Sequence, residues 1–469
     1  MNSSSSFHMQ SNQANPFSRR QFVKTLSASA VISGLPGIIR AQQAPSQNVI
    51  GANSRVNVAC VGFSDRFKGA LLPAFLKSKN ELNFDIVALA DLWSVRRESG
   101  KNILEKELGH SIDLYRSDEE LYEKAKNVDA VIISTADFQH AMHTVHAVKA
   151  GKDCYSEKPY AEDMDSANAA LDAVLEARRT NNQGGAIVQI GSQRRSGSAY
   201  QIANQYIRSG AFGDISSVDL CWNVNQSRRW RRDEQLVASL KEADTDWNKW
   251  LLDRPKVPFD PRKYLEFRLF WPYSSGIPGQ WMCHQIDTVS WFTGFDFPRS
   301  VVASGGIYAW QDGRESCDTL TAILEYGPEN NPAKGFQVVF SSRQTNASRG
   351  IVEKYHSTKG TIDLNNGTIS NEGVENTKEQ ISKLSETEVA LSVGRSVNVE
   401  SEDTVTAHMR NWMECVRSRK QPNAPIEAGY SHSVALIMTN ASLLTGMKAT
   451  FDKSARQVLT DKKIFKGYA

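Results

Sequence analysis

Over the first third of the chain, short apolar runs alternate with longer amphipathic stretches. Residues 55–62, 84–90 and 130–134 are apolar runs of strand length, and they lead into Gly62, Asp91 and Thr135. Residues 71–78 have the spacing of the helix that follows the first run, and 121–126 leads into the third. Residues 138–150 repeat the helical pattern, 151–159 return to strand character, and 166–179 predict a closing helix. This alternation predicts a parallel sheet, and the first three elements form a βαβ unit of a size suited to a dinucleotide.

The pattern then changes. Residues 186–190, 215–223, 301–309, 320–326, 336–342 and 361–364 are strand candidates with few helices between them. Such a run predicts an α+β second half with an antiparallel sheet. A Trp- and Pro-rich excursion, 230–278, reads as a long ordered loop lining a cleft, and 404–418 and 430–447 read as helices packing back on the body. Residues 365–401 are polar and have no assigned element.

Composition narrows the function classes. At 469 residues, 40% hydrophobic and 23% charged, the chain has the make-up of a two-domain globular enzyme. A net charge of +3 gives no footprint for nucleic acid or an anionic membrane surface. The six cysteines are scattered without a Cys-x-x-Cys, which argues against a zinc site or disulfide framework built on thiols. Near the N-terminus, Ser18-Arg19-Arg20-Gln21-Phe22-Val23-Lys24 precedes an apolar run at 26–39 broken by Gly34, Pro36 and Gly37. This is the pattern of a twin-arginine export signal, with cleavage expected at 41–44 and a periplasmic or otherwise exported product. The run is too short and broken to insert as a spanning helix.

Candidate chemistry collects at the expected strand ends. Gly62 supplies the tight turn of a phosphate loop, but Ser64 and Phe67 stand where a Gly-x-Gly-x-x-Gly pattern has glycine. Asp91 is placed to accept hydrogen bonds from the adenosine ribose. A carboxylate there favours NAD, while Arg96 and Arg97 keep NADP open. Thr135, Asp137 and His140 follow the third strand as cofactor contacts, with Asp137 also suited to cap the helix. Asp137, His140, His143 and His146 recur every three residues, a spacing that drifts around a helix, so the four do not converge on one metal ion. Lys158, in Glu157-Lys158-Pro159, falls where cofactor and substrate meet, and a lysine there can exchange a proton with a hydroxyl. His284 and Asp287 share a helix face; the imidazole can carry a hydroxyl proton or hold the substrate beside Lys158, and Asp287 and Gln280 are substrate-binding candidates. Trp222, Trp230, Trp247 and Arg268 are candidates for lining a carbohydrate cleft.

Taken in order, Ser134-Thr135-Ala136-Asp137 with His140, Ala150-Gly151-Lys152 through Glu157-Lys158-Pro159, and Cys283-His284-Gln285-Ile286-Asp287 resemble the glucose–fructose oxidoreductase/inositol dehydrogenase family (Gfo/Idh/MocA). Gln193-Arg194-Arg195-Ser196, Asp246-Trp247-Asn248-Lys249-Trp250-Leu251 and Pro422-Asn423-Ala424-Pro425 are similar to its exported bacterial branch. The resemblance implies α/β plus α+β architecture. A Rossmann dinucleotide-binding domain is expected over 52–182, a second domain with a large open, mainly antiparallel sheet over 183–427, and a C-terminal helix and tail over 428–469. It also implies Lys158 and His284 as catalytic residues, Glu157 and Lys158 at the cofactor, and a homo-oligomer. The activity implied is NAD-dependent oxidation or reduction of a hydroxyl or keto group of a sugar or sugar derivative. Where the family often carries aspartate, four residues before the histidine, this chain has Gln280, which binds a hydroxyl but takes no proton at neutral pH. Export implies a tightly held cofactor. Two further readings follow: a redox-neutral glycosidase working by oxidation, elimination and reduction, and a non-catalytic sugar-binding protein.

Overall fold

The computed structural model describes residues 55–180, 185–370, 373, 389–390 and 402–467. The export motif and most of 365–401 lie outside the described residues. Six strands, β1 (Val56–Val61), β2 (Phe84–Ala90), β3 (Asp113–Tyr115), β4 (Ala130–Ile133), β5 (Asp153–Ser156) and β6 (Val188–Ile190), form a parallel sheet in the order β3-β2-β1-β4-β5-β6. All four residues of β4 and of β5 are buried, because helices cover both faces, which is why these strands read as apolar runs rather than alternating ones. The helices are α1 (Leu72–Leu82), α2 (Ser94–Leu108), α3 (Asp118–Lys124), α4 (His140–Lys149) and α5 (Met164–Thr180). Strand order reverses between β1 and β4, so the crevice for a dinucleotide opens at their carboxyl ends. Residues 186–190, expected among the antiparallel strands, instead pair with β5 as the last parallel strand.

The second half builds an eleven-stranded sheet. Its strands are β7 (Ile215–Trp222), β8 (Ser300–Gly306), β9 (Thr319–Tyr326), β10 (Phe336–Arg343), β11 (Ile351–Ser357), β12 (Gly360–Asp363), β13 (Thr368–Ser370), β14 (Val389–Ala390), β15 (Ala449–Asp452), β16 (Gln457–Thr460) and β17 (Lys463–Ile464). The order is β14-β13-β12-β11-β7-β10-β9-β8-β15-β16-β17, and among the described residues only the β7–β10 pair is parallel. Along β9, Leu320, Ala322, Leu324 and Tyr326 are buried while Thr321 and Ile323 are exposed, the period-two mark of a sheet covered on one face. Helices α6 (Ser198–Arg208) and α7 (Cys283–Thr293) belong to this half.

Two late helices join the halves. In α8 (Glu402–Ser418), Met409, Trp412, Met413 and Val416 recur at i, i+3, i+4 and i+7 and pack into the first domain's core with Phe75 and Phe84. α9 (Ile426–Thr445) is buried over most of its length, against α5, α7 and β8. The Trp-rich excursion is more regular than a loop. It carries short helices at Glu234–Ser239, Trp247–Leu251 and Pro261–Leu265. Its rings form a separate core in which Trp247 and Trp250 stack at 4.8 Å, and Phe138 of the first domain meets Trp250 at 5.0 Å. Trp247 is therefore an anchor of this roof and not a cleft residue.

Candidate active site

A cavity of about 480 Å³ runs along the carboxyl ends of β1, β2 and β4. Gly62, Ser64, Asp91 and Thr135 form one wall, and Trp250 and Arg268 of the excursion lie opposite. Gly62 has φ +84°, and a Cβ there would come 2.7 Å from Thr135 Cγ2, so only glycine fits. The rest of the loop is anchored from below. Phe63 and Phe67 are buried with their rings 5.5 Å apart, and Ser64 Oγ accepts from the Phe67 N–H at 3.1 Å. Aromatic anchorage thus stands in for the missing glycines. Asp91 has two tasks. Its Oδ2 accepts from Phe63 N at 2.8 Å and its Oδ1 from Trp93 N at 2.9 Å, while the carboxylate also edges the cavity. Burial pushes its pKa up, against the opposing pull of Arg96.

A second cavity of about 380 Å³ continues the first, sharing Ser64, Arg66, Thr135, Arg232 and Arg268, and adding His140, Glu157, Lys158, Trp230 and Gln280. Lys158 follows the end of β5, and its Nζ donates to the Gln280 carbonyl at 2.9 Å. Glu157 is buried. Its Oε1 accepts from Arg66 Nε at 3.0 Å and Gln193 Nε2 at 3.2 Å, and its Oε2 from Lys158 N at 3.1 Å. Burial raises the Glu157 pKa, but Arg66 and Lys158 outweigh it and hold the group below its ordinary value. His140 Nδ1 lies 2.8 Å from the Pro159 carbonyl, so Nδ1 carries the proton and Nε2 is the acceptor. Burial lowers the His140 pKa and keeps the ring neutral. His140 Nε2 and Thr135 Oγ1 are buried without a hydrogen-bond partner among the described residues, and both residues line the continuous cavity. Two orphaned polar atoms beside a glycine cradle and an acidic strand end fit a dinucleotide.

Four sequence expectations need correction. Asp137 lines neither cavity and caps no helix. It is fully buried behind the wall, accepting from Ser274 Oγ at 2.7 Å, Gln280 Nε2 at 2.6 Å and Arg268 Nη2 at 3.2 Å, and Gln139 Oε1 caps the turn by accepting from Ala136 N. It positions two substrate candidates, Gln280 and Arg268, and does not touch the groove. Asp287 lines neither cavity and is closed in a bidentate pair with Arg195 at 2.8 and 2.9 Å. Burial raises its pKa, but Arg195 wins and holds it below the ordinary range. Trp222 is also buried, 6.1 Å from Trp281 in a parallel stack, with His284 stacked on it at 5.7 Å. Of the tryptophans expected in the cleft, Trp230 is the one that lines a cavity. His284 lines neither cavity, and desolvation, then the charges of Lys158, Arg194 and Arg66, press its pKa well below the ordinary value, so it is a neutral ring. Sequence reading missed Arg66 and Arg232, which flank the loop. Their signal, an arginine inside the phosphate loop and an Arg-Arg pair beside Trp230, is weak without the fold.

Residues 56–183 match the family described as "Oxidoreductase family, NAD-binding Rossmann fold". The first domain is thus an NAD-binding Rossmann domain of the Gfo/Idh/MocA oxidoreductase type. An inositol 2-dehydrogenase of Agrobacterium fabrum is 30% identical over 195 residues, 40% of this chain and 51% of the relative. Oxidoreductase P35 of Formosa agariphila is 23% identical over 175 residues and is matched over 49% of its length, so the chain spans about half of these curated relatives. Among solved structures, the WlbA dehydrogenase of Bordetella pertussis in complex with NADH and UDP-GlcNAcA superposes with a TM-score of 0.61 at 16% identity, covering 86% of this chain and 99% of that one. A levoglucosan dehydrogenase in complex with NADH and levoglucosan gives a TM-score of 0.61 at 15% identity, covering 85% and 99%. At these identities the likeness shows the fold alone. The Gfo/Idh/MocA domain is thus the NAD-binding part of the molecule, with the second sheet mainly antiparallel, as the resemblance implied.

Proposed function

We propose that this protein is an NAD-dependent oxidoreductase acting on a hydroxyl or keto group of a sugar or sugar derivative, with its cofactor tightly held. One observation carries the reading: Lys158 Nζ, fixed by the Gln280 carbonyl, opens on a cavity continuous with the dinucleotide groove. Bound NAD supplies the hydride acceptor at its nicotinamide. Lys158 binds the reacting hydroxyl and exchanges its proton, and the surrounding guanidinium groups stabilise the developing alkoxide. His284 stays a neutral ring outside both cavities, stacked on Trp222, and carries no proton in this reading. Trp230 and Arg268 orient the sugar, one by its ring face and one by its donors. The inositol dehydrogenase relatives, and the levoglucosan and UDP-sugar named for the structural neighbours, support the substrate class. The arginine pair at Arg19-Arg20 supports twin-arginine export to the periplasm, and Val302 and Ile323, exposed on the open sheet face, support a homo-oligomer.

Mass spectrometry of the material released on denaturation should find NAD. A sugar screen should then change the absorbance of the bound nicotinamide, and Lys158→Met should retain the cofactor while losing turnover by about 10²–10⁴-fold. Protein without nicotinamide, or full turnover in Lys158→Met, rejects the reading. A ketosugar product supports the dehydrogenase, and a released aglycone with unchanged oxidation state would transfer the site to the glycosidase reading.

A further inference from the structure

The four-residue metal pattern read from the sequence dissolves in the fold, but two of its histidines find a third partner. Asp118, at the start of α3, points its Oδ2 at His143 Nδ1 and His146 Nδ1 of α4, each at 2.8 Å. Asp118 and His143 are buried, and the His146 side chain is 27% exposed. All three ligand atoms lie within 4.8 Å of one another. Asp118, His143 and His146 also line the dinucleotide cavity, beside Ser117 and Met142, so an ion has an entry path and space for water as a fourth ligand.

We propose that Asp118, His143 and His146 form a binding site for a divalent transition metal ion of the zinc class. Two imidazole nitrogens and a carboxylate oxygen are a donor set for such an ion. In the metal-free protein, two Nδ1–H groups donate to one carboxylate oxygen, which places three donor atoms around a common centre. On metal binding each neutral ring carries its proton on Nε2 and turns the Nδ1 lone pair to the ion, and the Asp118 carboxylate offsets part of the ion's charge. Zinc bonds of about 2.0–2.2 Å in tetrahedral geometry set ligand atoms about 3.4 Å apart, so the cluster needs to open by roughly half an ångström. The His143–His146 spacing of i, i+3 keeps both rings on one helix face, and Asp118 comes from the neighbouring helix. The ion thereby ties α3 to α4 at the wall of the groove, away from Lys158, which makes it a structural clamp and not part of hydride transfer.

The test uses the full-length protein, stripped with chelator and returned to one equivalent of Co²⁺ or Zn²⁺. One ion per chain should survive gel filtration, and Co²⁺ should give the visible absorption of a low-coordinate site. Asp118→Asn and His146→Gln should weaken binding by more than the roughly 10–100-fold that loss of an outer-shell partner costs. His110→Gln, at a half-buried histidine paired with Asp85, should bind like the parent. Because His146 is partly exposed, its variant is the one expected to fold normally, which circular dichroism checks. No retained ion, or equal retention in His146→Gln, overturns the proposal and leaves the cluster a hydrogen-bonded clamp. Metal content is read without substrate, so failure here leaves the oxidoreductase reading untouched.

Discussion

Gln280 shows how one residue serves the site with both ends. Its carbonyl accepts from Lys158 Nζ and its side-chain amide donates to Asp137, so Lys158 is steered by a backbone atom whose position depends on a buried carboxylate. A carboxylate at position 280 would sit against Asp137 and repel it, so a neutral amide suits this position. Asp287 has the opposite character. It looked like a substrate ligand because it shares a face with His284, yet it is spent on Arg195. Asp287→Asn should therefore cost about 3–5 kcal/mol of stability, because it strands a buried guanidinium, and urea denaturation reads that loss directly. A mild stability effect with a large rise in KM would return Asp287 to the substrate cleft. A lone i, i+3 pair cannot reveal this in sequence, because Arg195 lies far away along the chain.

The phosphate-loop turn depends on its glycine. Gly62→Ala combines φ +84° with a clash against Thr135, and it should reduce NAD retained through purification at least tenfold, as measured by nicotinamide content. Undiminished retention would mean that the loop can shift. Legibility follows burial at this scale. β1, β2 and β4 were readable because covered faces demand apolar runs. β11 was not, since Glu353, Lys354 and His356 interrupt it. Glu353 is tolerated there because Arg194, Tyr200 and Thr288 meet its carboxylate inside the second domain. The metal-like cluster was half legible: both histidines stood in one helix, but Asp118 joined them only through the packing of α3 on α4. Lys158 was legible because its segment is local, running from β5 into a turn.

The two halves of the molecule meet at Glu162, which accepts from the Ser275 N–H and hydroxyl, both at 3.1 Å. Burial, and then the charge of Asp137, push Glu162 up to about 8 from an ordinary 4.5. The folded protein therefore keeps a proton that the unfolded chain has released, so stability is greatest below pH 4.5 for this group and declines as pH rises to 8. The slope in that window is about 1.4 kcal/mol per pH unit, and Glu162→Gln should flatten it in denaturant titrations between pH 5 and 9. An unchanged slope would show that Glu162 is ionised in the native state. At this scale the strand–helix alternation announced two architectures, whereas the return of α8 to the first core was hidden, because its partners lie more than two hundred residues upstream.

That return has a bearing on biogenesis. Trp412 and its neighbours complete the first core, so its early strands leave the ribosome with an uncovered apolar flank until the more than three hundred residues between Phe84 and Trp412 have been made. Completion of the first domain is thereby deferred until α8 emerges, and a chain cut short before α8 would offer chaperones and proteases a greasy surface in place of a closed domain.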